Sequence, residues 1–291
     1  MFSDEKMVLD IRLNVLNDYV DEFVIVESKY KHNGDLKGKV FDLNHYLKFK
    51  NKIRYVYLDK EPDGIIPINT NLDENQKNKT LLHNTYLREN YQRDMIAKGI
   101  SNADPDDFII IGDIDEIPNL KDFNFRENKK KLIIFRQKMF YYKLNLFYKE
   151  LVWTGSRACL KKKLKSPQWL RNIKNKKYPL WRIDTLFSKN KHNNITFVDN
   201  GGWHFTNMKT PEEIFSKLNS FLHNVDFKLS GLSLNDVKEM VSKKKIGYDH
   251  FADQRKVDRW NSQITLKAVE ISILPKYISD NKEKFKEWLE L

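Results

Sequence analysis

Cysteine and long apolar runs are scarce in this sequence. The 291-residue chain has one cysteine, Cys159, so no disulfide can form within it and no cysteine cluster can hold zinc. No apolar run is long enough to span a membrane, and the first segment, "MFSDEKMVLDIRL", is too charged for a signal peptide. These absences favour a reducing compartment, and we expect a cytoplasmic protein.

Acidic residues are outnumbered, because 52 Lys and Arg face 40 Asp and Glu and give a net charge of +12. The excess is mostly lysine spread along the chain, which is typical of solvated faces, so we expect no nucleic acid partner. The basic segment 161–177, "KKKLKSPQWLRNIKNKK", is a local exception that contains Trp169. It is suited to an anionic ligand or to lipid headgroups, and a weak peripheral membrane contact through it is one interpretation.

Helix and strand patterns alternate along the first 118 residues. In order they are the helical "MVLDIRLNVL", a strand that ends at Glu27, the strand "KIRYVYLD", a helix over 83–98 closed by Gly99, and the strand "DFIIIGDID". Such alternation favours a parallel sheet of the doubly wound type.

The pattern changes after residue 118. The segments "KLIIFRQKMFYYKLNLF" and "LVWTGSRACLK" are typical of long strands or hairpin arms, which favours a mixed sheet beyond the parallel half. A capping box of Thr210 and Glu213 begins one helix, Ser233 begins another, and "NKEKFKEWLEL" predicts an amphipathic helix at the C-terminus. We predict an α/β fold with a mixed, mainly parallel central sheet flanked by helices, and with C-terminal helices.

The strand "FIIIGDIDEIP" ends in three acids, Asp113, Asp115 and Glu116. Ligands of open α/β sheets bind outside the carboxyl ends of the strands. On an extended segment Asp113 and Asp115 point the same way, and two carboxylates that close favour a cation between them. Hard oxygen ligands suit Mg²⁺ or Mn²⁺, which also bind phosphates. The pattern predicts a divalent cation that bridges a diphosphate, although acids at a strand end are also commonly just solvated.

Five segments in the same order resemble glycosyltransferase family 17. They are "LDIRLNVLNDYVDEFVIVESKYKHNG", "RENYQRDMIAKGI", "DPDDFIIIGDIDEIP", "GGWHFT" and "KLNSFLH". The resemblance spans nearly the whole chain. It implies a GT-A-like, Rossmann-like fold with a DXD motif, a sugar-nucleotide donor such as UDP-N-acetylglucosamine, a glycan or glycoconjugate acceptor, and inversion at the anomeric carbon.

The resemblance also implies one glycosyltransferase domain, 1–291, in three parts. We expect a nucleotide-sugar-binding half at 1–118, an acceptor-side half at 119–230 and a helical extension at 231–291. Relatives have a short strand before "FSDEKMVLDIRL", and Met1 stands almost where that strand ends. We therefore expect either a truncated start or other residues completing the uridine pocket.

The resemblance assigns the acidic pair first. Asp115 is expected to contact the metal, and Asp113 to contact the ribose or the metal through water. Glu116 either orients Asp115 or a neighbouring loop, or caps the turn before Pro118. Glu27 is expected against the nucleoside, with a capping or loop acid as the alternative.

Further candidates lie on other elements. Gln92 and Arg93 are expected to face the donor, where the fork of Arg93 suits the uracil edge or a phosphate, unless that arginine is simply ion-paired. Lys217 is expected to neutralise the diphosphate and His223 to contact the acceptor, whereas the alternative is an ordinary amphipathic helix.

The segment "DNGGWHFT" supplies the remaining candidates. Trp203 offers a flat face to a sugar ring, and His204 is a candidate third metal ligand or a satisfied structural histidine. An inverting transfer needs a general base. Asp199 is the first candidate, Asp184 is its rival and Glu116 is the third.

Two other functions fit the residues. A Mg²⁺-dependent phosphohydrolase would use Asp113 as its nucleophile, and a protein without catalysis would bind a polyanion or glycan through its basic and aromatic surface. Joint stabilisation by UDP and Mn²⁺ is expected only for the transferase.

Overall fold

The structure is a computed structural model, and it describes residues 1–68, 71, 73–128, 131–179, 181–220, 224–251, 259, 260, 262 and 264–290. The α-helices are α1 (Lys6–Leu16), α2 (Glu74–Asp94), α3 (Ile96–Gly99), α4 (Pro167–Asn172), α5 (Asp184–Phe187), α6 (Pro211–Leu218), α7 (Asn224–Ser230), α8 (Leu234–Ser242) and α9 (Lys276–Asp280). Short 3₁₀ helices cover Leu43–Phe49, Lys161–Lys163, Ile271–Ile273 and Lys282–Trp288.

The strands follow the same chain order. They are β1 (Phe23–Ser28), β2 (Ile53–Leu58), β3 (Phe108–Ile111), β4 (Glu116–Pro118), β5 (Leu132–Phe135), β6 (Gln137–Tyr141), β7 (Leu146–Trp153), β8 (Arg157–Leu160), β9 (Ile195–Val198), β10 (Gly202–Thr206), β11 (Lys245–Ile246), β12 (Ile264–Thr265) and β13 (Lys267–Ala268). The fold is therefore α/β, as predicted.

The sheets are mixed rather than mainly parallel. Strands β1 and β2 form a parallel pair, and Phe2 adds a parallel bridge to Glu27. Strand β3 pairs antiparallel with β8 in a sheet of order β3-β8-β5-β9, whose β5 and β9 are parallel. The second large sheet has the order β13-β7-β6-β10-β4, and only its β6 and β10 run parallel. The alternation along the first 118 residues thus predicted the β1–β2 pair correctly, but not the antiparallel pairing of β3.

Apolar periodicity explains where the helices pack. Helix α1 buries Leu9, Ile11 and Leu13, which are at most 1% exposed, in the largest apolar cluster of the molecule. No helix in the described part of the chain combines the length and the apolar composition that a membrane crossing requires.

Predicted helix starts agree with the structure where a capping box in the sequence marks them. The capping boxes of Thr210 with Glu213 and of Ser233 with Asp236 begin α6 and α8. The helix predicted over 83–98 instead begins at Glu74, where Asp73 forms a capping box with Gln76, and it breaks at Met95. The C-terminal segment forms a 3₁₀ helix rather than an amphipathic α-helix.

Candidate functional site

The acids after β3 lie in a turn rather than on an extended strand. Strand β3 ends at Ile111, and the backbone N–H of Glu116 donates to the carbonyl of Asp113 at 3.1 Å. The guanidinium of Arg12, on α1, donates to the carbonyls of both Asp113, at 3.0 Å, and Glu116. Because the backbone turns, the carboxylates of Asp113 and Asp115 have different partners, and the extended segment that the prediction assumed does not continue past Ile111.

Asp113 is ion-paired to two arginines. Its Oδ1 lies 3.2 Å from Arg93 Nη2 and its Oδ2 lies 3.0 Å from Arg171 Nη2. Arg93 also donates to Glu89 at 2.8 Å and to Gln168 at 2.6 Å. Burial raises the pKa of Asp113, but the two guanidinium groups outweigh it and hold that pKa well below the usual range. Asp113 is therefore an ionised carboxylate that lies between two guanidinium groups.

Glu116 is fully buried and holds the turn together. Arg171 donates to its two oxygens at 2.9 and 2.7 Å, Trp153 Nε1 donates at 2.7 Å, and the Asp113 N–H donates at 3.0 Å. The close approach requires Gly155, where a Cβ would stand 1.9 Å from Glu116 Oε1. Of the two predicted roles, orientation of the neighbouring loop is the one these contacts match.

Asp115 faces His204 instead of Asp113. His204 Nε2 lies 3.4 Å from Asp115 Oδ2, and the imidazole stacks on Trp153 with ring centroids 4.7 Å apart. Burial raises the pKa of Asp115, while His204 and Lys217 lower it by more. The buried Nδ1 of His204 has no hydrogen-bond partner among the residues that the structure describes. Asp115 and His204 thus present one carboxylate and one imidazole side by side.

Strand pairing explains why these two residues meet. His204 on β10 pairs with Glu116 on β4 and with Met139 on β6. The Phe205 N–H donates to the Asp115 carbonyl at 2.9 Å. Alternation along β10 then turns His204 to one face and Trp203 to the other.

The acids and His204 line a cavity of about 600 Å³. Seven of the predicted site residues line it, namely Gln92, Arg93, Asp113, Asp115, Glu116, His204 and Lys217. A volume of this size matches a small-molecule site.

Gln92 and Lys217 line the cavity and also form hydrogen bonds with neighbouring residues. The side chain of Gln92 donates to the Val26 carbonyl at 3.1 Å and lies 3.1 Å from the ring of His32. Lys217 Nζ donates to Asn207 at 3.1 Å. Both side chains are therefore already oriented at the cavity wall.

Glu27 does not line the cavity. It is fully buried, with a salt bridge to Lys37, a 2.7 Å hydrogen bond from Tyr55, and backbone N–H groups of Val40 and Phe41 at 2.7 and 3.0 Å. Burial raises the pKa of Glu27, but these donors lower it by more. The side chain therefore anchors the loop after β1, and its predicted contact with the nucleoside stays a prediction.

Trp203 and Asp199 also lie outside the cavity lining. The Trp203 indole donates to the Ile273 carbonyl at 2.8 Å and packs against the largest apolar cluster. Asp199 is 75% exposed and ion-paired to Arg136 at 2.8 Å. Neither residue therefore lines the cavity that the acids share.

The remaining two predicted residues have different outcomes. Asp184 pairs with Arg182 at 2.6 Å and Lys191 at 2.9 Å and is absent from the cavity lining. His223 lies outside the described residues, so its predicted contact with the acceptor stays a prediction.

Several cavity residues were not predicted. Arg171 lies in the basic segment 161–177, and nothing in the neighbouring sequence indicates that its side chain points into the cavity. Tyr141 Oη lies 2.5 Å from His250 Nε2, and Trp153 reaches the acids from β7. A serine N-cap, Ser166, begins the helix that carries Arg171 and was the one available sign of order there.

Comparison with known proteins points to one family. A family model described as glycosyltransferase family 17 matches residues 1–290. The beta-1,4-mannosyl-glycoprotein 4-beta-N-acetylglucosaminyltransferases of Homo sapiens and Rattus norvegicus are each 32% identical over 115 residues, which is 38% of this chain and 19% of the relative. The Mus musculus protein is 31% identical over the same shares. The matched segment thus spans about a fifth of the relatives' length, and no solved structure matches the chain.

Proposed function

This chain belongs to glycosyltransferase family 17, and we propose that it is an inverting, metal-dependent transferase that moves N-acetylglucosamine from a UDP-sugar to a glycan hydroxyl. The observation that carries the proposal is the acidic turn Asp113–Glu116 at the wall of a 600 Å³ cavity that also presents arginines and His204. The relatives are named as N-acetylglucosaminyltransferases that act on a mannosyl-glycoprotein, which supports the sugar and the acceptor class.

Chemistry of the donor set supports a divalent cation. Asp115 and His204 offer an oxygen and a nitrogen 3.4 Å apart, and Mn²⁺ accepts both kinds of ligand. The described residues contain no cluster of three His, Cys, Asp or Glu side chains that could hold a metal, so substrate oxygens and waters would complete the coordination. When bound, the cation would supply positive charge to the departing diphosphate.

Cationic side chains of the protein would also stabilise the departing diphosphate. Arg93 is buried and Arg171 is half-buried beside Asp113, and Lys217 lies near Asp115. As the bond between the anomeric carbon and the UDP oxygen breaks, negative charge grows on the diphosphate, and preorganised donors stabilise it without reorganising. The acceptor oxygen forms the new bond from the opposite face and gives its proton to a base.

The base is proposed to be a carboxylate of the cavity. Of the three predicted acids, Glu116 alone lines the cavity, whereas Asp199 and Asp184 do not. Glu116 is therefore placed first by position. Its two oxygens already accept from Arg171, Trp153 and the Asp113 N–H, so to act as the base it must exchange one of these hydrogen bonds for the acceptor hydroxyl.

Binding of UDP and metal tests the function. Mn²⁺ and UDP together are expected to raise the melting temperature by more than either alone, because ligands that bind only the native state stabilise it. Asp115→Ala should abolish the joint effect and the transfer of N-acetylglucosamine. Capture of a phosphorylated Asp113 without joint stabilisation would favour the phosphohydrolase instead, and stabilisation by a polyanion alone would favour the non-catalytic binding protein.

A further inference from the structure

Large apolar side chains are exposed together in the loop 174–191. Trp181, Ile183, Leu186 and Phe187 are 76%, 69%, 74% and 85% exposed. Single exposed apolar residues are ordinary on a protein surface, whereas a group of four within seven positions marks an interaction surface. Ile183 directly precedes α5, and the last two belong to it.

The loop 174–191 has an ordered base. The Lys174 N–H donates to the Asn190 carbonyl at 2.8 Å, and the Trp169 indole donates to the Lys189 carbonyl at 2.9 Å. Within the loop, the Thr185 side chain is buried and donates to the Arg182 carbonyl at 2.7 Å. The exposed apolar groups at 181–187 therefore lie between hydrogen bonds at the base of the loop and beside one within it.

Basic side chains accompany the apolar ones. The loop carries lysine or arginine at positions 174, 176, 177, 182, 189 and 191 and one acid, Asp184. That acid is already paired with Arg182 and Lys191. The lysines at 174, 176, 177 and 189 are exposed, so the surface combines positive charge with apolar groups.

We propose that the loop 174–191 docks on an anionic lipid surface. Lysines beside exposed Trp, Phe, Leu and Ile match a negatively charged membrane interface, where headgroups attract the cations and the acyl boundary takes the apolar groups. Trp181 is suited to the headgroup level, since an indole has an apolar ring and a polar N–H.

The basic segment 161–177 as a whole does not form this surface, because some of its cations are bound to other parts of the protein. Lys161 Nζ is occupied by the carbonyls of Ile100, Ser101 and Ala103 at 2.7 to 2.9 Å, and Arg171 faces the acidic turn. These cations are committed to the fold. The lipid contact therefore belongs to the loop 174–191, which is joined to the cavity wall by the short helix α4.

Vesicle binding tests the proposal. The full chain is mixed with sedimenting vesicles of phosphatidylcholine, with or without 30 mol% phosphatidylserine, a working composition of the order found in anionic leaflets. We expect at least about tenfold stronger partition onto the anionic vesicles, and a loss of about tenfold when NaCl is raised from about 0.1 to 0.5 M. Equal binding to both vesicle types, or none, would overturn the proposal.

A matched pair of variants separates this surface from general hydrophobicity. The double variant Leu186→Ser, Phe187→Ser should lower partition about tenfold or more, because apolar burial is lost. The control Leu36→Ser, Leu47→Ser changes residues that are 68% and 60% exposed elsewhere, and it should bind as the parent does. Circular dichroism confirms that both fold, and equal losses in the two variants would contradict the assignment.

A site-specific probe reports insertion without removing the surface. Cys159 is buried, so Phe187→Cys can be labelled with an environment-sensitive fluorophore, and Leu47→Cys serves as the control. The label at 187 should brighten on anionic vesicles and the label at 47 should not. If heparin binds the chain and lipids leave the label at 187 unchanged, a soluble polyanion is the partner and the proposal fails. These readouts do not involve sugar transfer, so they stand or fall independently of the proposed activity.

Discussion

Two strand ends of this molecule carry acids, and the burial and hydrogen bonds of these acids differ. Near the end of β1, both carboxylate oxygens of Glu27 accept hydrogen bonds, and the residue has no exposed surface. After β3, Asp113 and Asp115 keep 27% and 18% of their side chains exposed and face a cavity. A saturated acid stabilises a loop, whereas a charged acid at a cavity wall is available to a ligand. Substitutions should therefore separate stability from activity.

The largest effect is expected from Asp115→Asn. The change keeps the shape but removes the charge that would hold a cation, so transfer activity should fall about a thousandfold or more. The free energy of unfolding should change by no more than about 1 kcal/mol, because the side chain is partly exposed and its contact with His204 is long, at 3.4 Å. Activity assays and urea unfolding measure the two quantities. A stable variant that retains full activity would remove Asp115 from the site.

Glu27→Gln should give the opposite result. Loss of one member of a buried ion pair leaves Lys37 without its counter-charge, and the expected cost is about 3 kcal/mol of unfolding free energy. Activity per folded molecule should stay within about twofold. Glu22→Gln is the matched control, because Glu22 pairs with Arg54 in an exposed bridge and should cost less than about 1 kcal/mol. Similar losses in both variants would erase the distinction between the two environments.

The same comparison predicts a pH dependence. Since the pKa of Glu27 is lower in the folded chain than its ordinary value, its contribution to stability is present above the unfolded pKa of about 4.3 and is lost as pH falls toward the folded pKa. The parent chain should therefore lose more unfolding free energy than Glu27→Gln between pH of about 5.5 and 3.5. Urea titrations across that range compare the two slopes, and parallel curves would contradict the assignment.

Local features account for what the sequence predicted correctly. The capping boxes at Thr210 and Ser233 involve residues three positions apart, so their pattern is readable without knowledge of the fold. The acids after β3 were also recognisable, because a polar group that ends an apolar strand lies at a sheet edge. Seven predicted residues consequently line one cavity.

Long-range contacts account for what it did not predict. The segment 131–147, expected as a long strand or hairpin arm, divides at Arg136 between two sheets, because β5 pairs with β8 and β9 whereas β6 pairs with β7 and β10. Arg171 resembles its solvated neighbours in sequence, but its partners Asp113 and Glu116 stand 58 and 55 positions away. No local periodicity encodes such a contact.

Asp199→Asn should have the smallest effect. It extends the comparison of acids to one that is largely exposed. Asp199 was the first candidate for the base, yet it is 75% exposed, pairs with Arg136 and does not line the cavity. We expect a change in unfolding free energy below about 0.5 kcal/mol, because surface ion pairs contribute little, and activity within about threefold. Glu116→Gln, measured beside it, should lower both stability and activity, since it breaks the buried pair with Arg171. A large loss of activity in Asp199→Asn with unchanged stability would return the base to Asp199, and it would show that the acceptor approaches the donor from the β9 side of the molecule.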